Sequence, residues 1–181
     1  MHRLKGSRVY LAGPMDRAFK DGGVTWRKEL TPFLVNLGIT VLDPTNKKID
    51  LGLETIENRD YRKTLKENKQ YDLLSEQVKT LRRVDLRQVD ISDFVIVNLD
   101  IDIVMSGTAE EIFWANRLKH PVILMCPQGK DAIFDWLYGT LDHNLFFENW
   151  EDIKKYITQI DNGSIDISND KRWILFEYQK F

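Results

Sequence analysis

Asp93-Phe-Val-Ile-Val-Asn-Leu-Asp-Ile-Asp-Ile-Val-Met-Ser-Gly-Thr-Ala-Glu-Glu-Ile-Phe-Trp-Ala115 reads as a buried strand, an acidic loop and the first turns of a helix. The run Phe94 to Val97 is short and β-branched, as an internal parallel strand should be, and Ser106-Gly107-Thr108 offers turn and capping chemistry just before Ala109. Asp100, Asp102, Glu110 and Glu111 therefore crowd the carboxyl end of a strand. Open α/β sheets bind their ligands at that edge.

Working outward, Arg8 to Pro14 is a plausible first strand that ends in small residues, which lets a ligand approach the backbone closely at Gly13. A loop bearing Gly22 and Gly23 leads to a helix marked by Trp26, Leu30, Phe33, Leu34 and Leu37, closed by Gly38. Thr40 to Pro44 is the second strand. Residues 45–82 are polar; they suggest helices over the sheet edge, with Asn58 to Gln70 a solvated face or a lid, and the pattern sharpens from Lys79 into a helix that enters the central strand. Beyond that strand come a helix over Ala109 to Leu118, a strand over Pro121 to Cys126, a short helix over Ala132 to Leu137, a fifth strand at Leu145 to Phe147 and a last helix over Trp150 to Ile160. Strands alternating with helices predict a flavodoxin-like or Rossmann-like three-layer α/β sandwich with a mostly parallel five-stranded sheet. One domain over residues 1–160 is expected, followed by a tail over 161–181 in which Asp161 to Ser164 is a linker and Trp173 to Tyr178 an edge strand or subunit contact.

Composition narrows the function. A formal charge of −2 provides no field for a polyanion, so neither nucleic acid nor a membrane is an expected partner. No stretch approaches the roughly 20 apolar residues of a membrane span, and the amino-terminal residues show no apolar signal region. The single cysteine, Cys126, ends an apolar run and is expected to be a core thiol, which suits a reducing cytoplasm. The Gly-rich dinucleotide fingerprint and the P-loop are both missing, His2, His120 and His143 do not cluster at metal-ligand spacing, and neither Ser92 nor Ser106 has a nucleophile-elbow context. Neither a cofactor nor a metal is expected.

Carboxylates remain. Glu110 and Glu111 are neighbours on a helix and point about 100° apart. Ile112 and Ala115 flank Glu111 on the apolar side, so Glu111 is the inward choice and Glu110 meets solvent. A carboxylate so placed suits a nucleophile or general base; equally, both acids could simply answer the helix dipole.

Tyr10-Leu-Ala-Gly-Pro14, Asp85 eight residues before Asp93, and Gly107-Thr-Ala-Glu-Glu-Ile-Phe-Trp-Ala115 together resemble the nucleoside 2-deoxyribosyltransferase family, including its nucleotide N-glycosidase relatives. The resemblance spans roughly residues 8–150. It implies an enzyme that exchanges the nucleobase of a (deoxy)nucleoside by double displacement, with Glu111 attacking C1′ to form a glycosyl ester, Tyr10 orienting Glu111, and Asp85 managing the proton of the leaving base. Hydrolysis of a nucleoside 5′-monophosphate by the same nucleophile, and a silent nucleotide-binding module, are the alternatives. Asp100 and Asp102 are candidates for the sugar hydroxyls, with Gly13 and Gly107 as close-approach positions. Asp93 is expected to be a structural turn residue. Asn144 falls in a region that supplies an asparagine to an adjacent subunit in the family, although the spacing departs by about one residue, so a homo-oligomer is expected, at least a dimer. Phe113-Trp114 replaces a position that is often glycine. Arg17, Lys20 and Arg27 follow the first strand, where a substrate phosphate would bind; interspersed Asp16 and Asp21 favour unphosphorylated nucleosides. Small-molecule nucleosides and free bases are the implied partners.

Overall fold

A computed structural model describes residues 2–15, 21–47, 56–167 and 170–174. Five parallel strands, β1 (Arg8–Ala12), β2 (Thr40–Leu42), β3 (Phe94–Asn98), β4 (Val122–Met125) and β5 (Phe146–Phe147), lie in the order β2-β1-β3-β4-β5. This is the flavodoxin-like order, and its direction reverses between β1 and β3, where doubly wound sheets open a crevice at their carboxyl ends. Between the strands run α1 (Thr25–Asn36), α2 (Ile56–Glu67), α3 (Tyr71–Asp90), α4 (Ser106–Arg117), the short α5 (Asp135–Tyr138) and α6 (Trp150–Asn162).

The pleat divides the core. Val9, Leu11, Phe94, Ile96, Ile123 and Met125 point to one face and pack under α1 and α6 through Leu30, Leu34, Ile153 and Ile157. Tyr10, Ala12, Val95, Val97, Val122 and Leu124 point to the other, beneath Val89 of α3 and Ile112 and Ala115 of α4. Alternation along one strand thus feeds two separate cores. At the sheet's amino-terminal end, the Asp93 carboxylate accepts from the Arg8 backbone N–H at 2.6 Å, as its structural reading requires.

Several boundaries move. α4 begins three residues before the expected Ala109, so Glu110 and Glu111 fall beyond its first turn and the helix dipole no longer explains them. The helix before β3 is a single 20-residue element that starts at Tyr71 rather than sharpening near Lys79. α2 is not merely a solvated face, because Leu65 is buried. Asp161, expected in a linker, lies inside α6 and is buried, accepting from the Leu4 backbone N–H at 3.0 Å with His2 Nδ1 2.7 Å from its other oxygen. Gly163, with φ +80°, closes that helix in the left-handed conformation glycine tolerates. Trp173 is buried beside Phe94 and donates to the Tyr156 hydroxyl. The edge strand expected beyond it falls mostly on residues 175–181, outside the described residues. Cys126 is buried, as expected.

Candidate active site

A cleft of about 460 Å³ opens where the strand order reverses, lined by Gly13, Pro14 and Met15 after β1, by Arg82, Asp85 and Leu86 of α3, and by residues 104–108, Glu110 and Glu111 at the start of α4. Lys66 of α2 also reaches it, so four chain segments meet there.

Glu111 is buried on the inner side of α4 with Thr108, Ile112 and Ala115. Tyr10, in the middle of β1, reaches it across the second core and donates its phenolic hydrogen to Oε1 at 2.7 Å. The pleat sends Tyr10 to this face while its neighbours Val9 and Leu11 go to the other. Burial pushes the Glu111 carboxyl up to about 8; the Tyr10 bond works against that rise and the Asp85 charge adds to it. Burial, with the Glu111 and Asp85 charges, holds the Tyr10 hydroxyl well above its ordinary range, so it stays a donor.

Asp85 is buried on the inner face of α3. Lys47, which follows β2, places its Nζ 2.5 Å from Asp85 Oδ1, and both side chains are out of water. Burial raises the Asp85 carboxyl; the Lys47 ammonium opposes this, with a smaller contribution from Arg27. Lys47 escaped the sequence reading. The only available signal was the lysine pair Lys47-Lys48 in a polar stretch, and nothing local joins either to a residue 38 positions beyond Lys47.

Glu110 sits on the cleft rim, where Arg82 forms a bidentate pair with it rather than leaving it to solvent alone. That pair lowers the Glu110 carboxyl, opposite to its neighbour. Adjacent glutamates thus differ in environment by one step around the helix.

The remaining candidates divide. Gly13 and Gly107 line the cleft. A Cβ at Gly13 would come within 3.1 Å of the Trp26 ring and 3.3 Å of Asn98, so its smallness serves packing as well as access, whereas a Cβ at Gly107 would meet open space. Asp100 and Asp102 do not line the cleft; Gln128 Nε2 donates to both, at 2.7 and 3.2 Å. Asn144 is exposed and donates to Asp142 within its own turn. Arg17 and Lys20 lie outside the described residues. Arg27 is corrected: it is fully buried, its guanidinium donates to the carbonyls of Leu11, Gly13 and Gly23, and it stacks 4.5 Å from the Trp26 ring, so it is a structural cation rather than a phosphate ligand. Phe113 points outward, while Trp114 packs on the second core and donates to Asp90 at 2.7 Å; the bulk at these positions stays away from Glu111. Among the described residues no cluster of histidine, cysteine and carboxylate side chains could hold a metal, and no helix is long and apolar enough to cross a membrane.

No family model matches the chain, and no curated protein matches it. Solved structures do. A 2-deoxyribosyltransferase from Bacillus psychrosaccharolyticus is 22% identical with a TM-score of 0.57, the likeness covering 83% of this chain and 92% of that one. A conserved protein from Enterococcus faecalis V583 is 17% identical with a TM-score of 0.52, over 85% and 98% of the two chains. A CMP N-glycosidase from Clostridium botulinum is 17% identical, over 86% and 99%, but its TM-score of 0.46 carries no weight. At these identities the likeness establishes a shared three-layer fold.

Proposed function

We propose that the chain is a nucleoside-processing enzyme that breaks the N-glycosidic bond of a (deoxy)nucleoside with Glu111 as nucleophile and passes the sugar to a second base. The observation that carries this reading is the convergence of a buried carboxyl, held by the Tyr10 hydroxyl at 2.7 Å, with a second carboxyl, Asp85, in one cleft. Paired carboxyls in different environments are the equipment of glycosyl transfer. The fold shared with a 2-deoxyribosyltransferase agrees with it.

The proton balance is internal to the cleft. With its carboxyl near 8, Glu111 carries a proton at neutral pH in the empty site. As the C1′–N bond breaks, its electron pair goes to the base nitrogen, and the proton held by Glu111 passes through Asp85 to that nitrogen. The Glu111 oxygen not bonded to Tyr10 closes on C1′, and positive charge that builds on the sugar meets a developing carboxylate. An incoming base reverses the sequence, and the site recovers its proton. Tyr10 stabilises Glu111 as charge appears on it, which is the moment when a hydrogen bond is strongest.

Burial of Arg27 removes one candidate phosphate ligand and favours unphosphorylated nucleosides. Asn144, displayed on an exposed turn away from its own cleft, is available to a neighbouring copy, in keeping with a homo-oligomer.

The test is incubation with deoxynucleosides and their monophosphates, with and without a free acceptor base, followed by chromatography. A new nucleoside that forms only with acceptor is the expected result, and Glu111→Ala should abolish it. Free sugar formed without acceptor makes water the second substrate instead. Full turnover by Glu111→Ala would overturn the assignment.

A further inference from the structure

Asp85 lines the cleft, but the cation paired with it does not. Lys47 approaches from the segment after β2 and is 6% exposed. Burying an ammonium is costly unless a partner is fixed beside it, and Asp85 is that partner. Several elements bring charged or titratable groups around Asp85: Lys47 after β2, Tyr10 on β1, Arg27 on α1 and Glu111 on α4, with Arg82 one turn away on its own helix, while α2, which also packs on α3, places Lys66 on the same cleft. Arg27 is held by three carbonyls, which leaves Lys47 as the cation in direct contact.

We propose that Lys47 is a positioning residue for the departure of the base: its buried Nζ, 2.5 Å from Asp85 Oδ1 and behind the cleft, holds that carboxyl toward the leaving group. This rests on the reading of the cleft as a glycosyl-transfer site. Burial alone would make Asp85 a weak acid that retains whatever proton it receives, and Lys47 is the largest influence opposing that. A proton passed from Glu111 to Asp85 then continues to the base nitrogen instead of stopping midway. The bonds made and broken are those of the transfer already described, and none is to Lys47.

The experiment compares two substrates in Lys47→Met, Lys47→Arg and the unaltered protein. An ordinary deoxynucleoside needs a proton on its leaving base; a 7-methylpurine deoxynucleoside does not, because methylation lets the base leave neutral, and the proton released by Glu111 then stops on Asp85. Lys47→Met is expected to lower kcat/KM for the ordinary substrate by about 10- to 100-fold, within the range of general acid catalysis, while the methylated substrate changes by less than about threefold. Lys47→Arg, which keeps the charge, should recover most of the loss. An equal loss on both substrates would reduce Lys47 to a structural role and overturn the proposal.

A second measurement needs neither catalysis nor a variant that folds. In the ligand-free protein, carbon-13 resonances of the Asp85 and Glu111 carboxyls are followed with pH. Asp85, with Lys47 beside it, is expected to lose its proton at lower pH than Glu111; the reverse order overturns the proposal whatever the substrate experiments give. The expected order in a protein that cleaves no nucleoside supports the pairing and moves the failure to the glycosyl-transfer reading.

Discussion

Replacing Tyr10 by phenylalanine removes one oxygen from a fully buried site and leaves the ring in place. The lost contact is the 2.7 Å bond to Glu111 Oε1. A hydrogen bond to a charged group contributes about 1.5–3 kcal/mol, and in the proposed mechanism the Glu111 charge develops only as the glycosidic bond breaks, so nearly all of that falls on the barrier. At 1.36 kcal/mol per tenfold, kcat/KM should drop about 10- to 100-fold. The same bond holds the Glu111 carboxyl down against burial, so losing it raises that carboxyl further. In the proposed mechanism, activity needs the site to hold its single proton. For the unaltered protein it should therefore fall as pH rises through about 8, and in Tyr10→Phe this alkaline limb should move up by about one to two pH units, the hydrogen-bond energy divided by 1.36 kcal/mol. The assay is base release from a deoxynucleoside, measured as kcat/KM across the neutral to alkaline range. A loss of activity with the alkaline limb unmoved would refute the reasoning, as would full activity.

Further outcomes follow from the same contacts. Glu111 is raised from about 4.5 to about 8, so the folded protein keeps a proton that the unfolded chain gives up; stability from this group is intact below about pH 4.5 and is lost progressively as pH rises to 8, by an amount on the order of 4–5 kcal/mol. Glu111→Gln should thus be inactive yet more stable than the unaltered protein at pH 8, with little difference at pH 4, by denaturant titration. Arg27→Met strands the carbonyls of Leu11, Gly13 and Gly23 in the interior and should cost about 3–5 kcal/mol in the same measurement. If Arg27 instead served substrate phosphate, the variant would lose affinity for monophosphates selectively.

Glu111 was legible because its evidence is local. Ile112 and Ala115 mark the buried face of a helix, and a helical period places Glu111 on it and Glu110 off it. The five strands were legible for the same reason, since their apolar runs are short and bounded by glycine, proline or polar residues. Lys47 and Arg27 show the opposite case. A cation in a polar stretch looks solvated, and only the closure of the sheet brings Lys47 against α3 and Arg27 against the end of β1. Helix starts are less legible: α4 begins at Ser106 with no side-chain cap, so the capping residues sit inside the helix instead of preceding it.

The division of the core by the pleat bears on how this molecule can be re-engineered. Leu30, Leu34, Ile153 and Ile157 lie on the face that Tyr10 does not share, and volume-conserving exchanges there can change stability without moving Glu111. Arg27 is the exception, because it leaves that layer to grip the backbone at the cleft's edge. The opposite face offers no such freedom. Val95, Val97, Ile112 and Ala115 set the separation between strand and helix that a single phenolic oxygen must span, so changes aimed at the cleft and changes aimed at a firmer scaffold can proceed on opposite sides of one sheet.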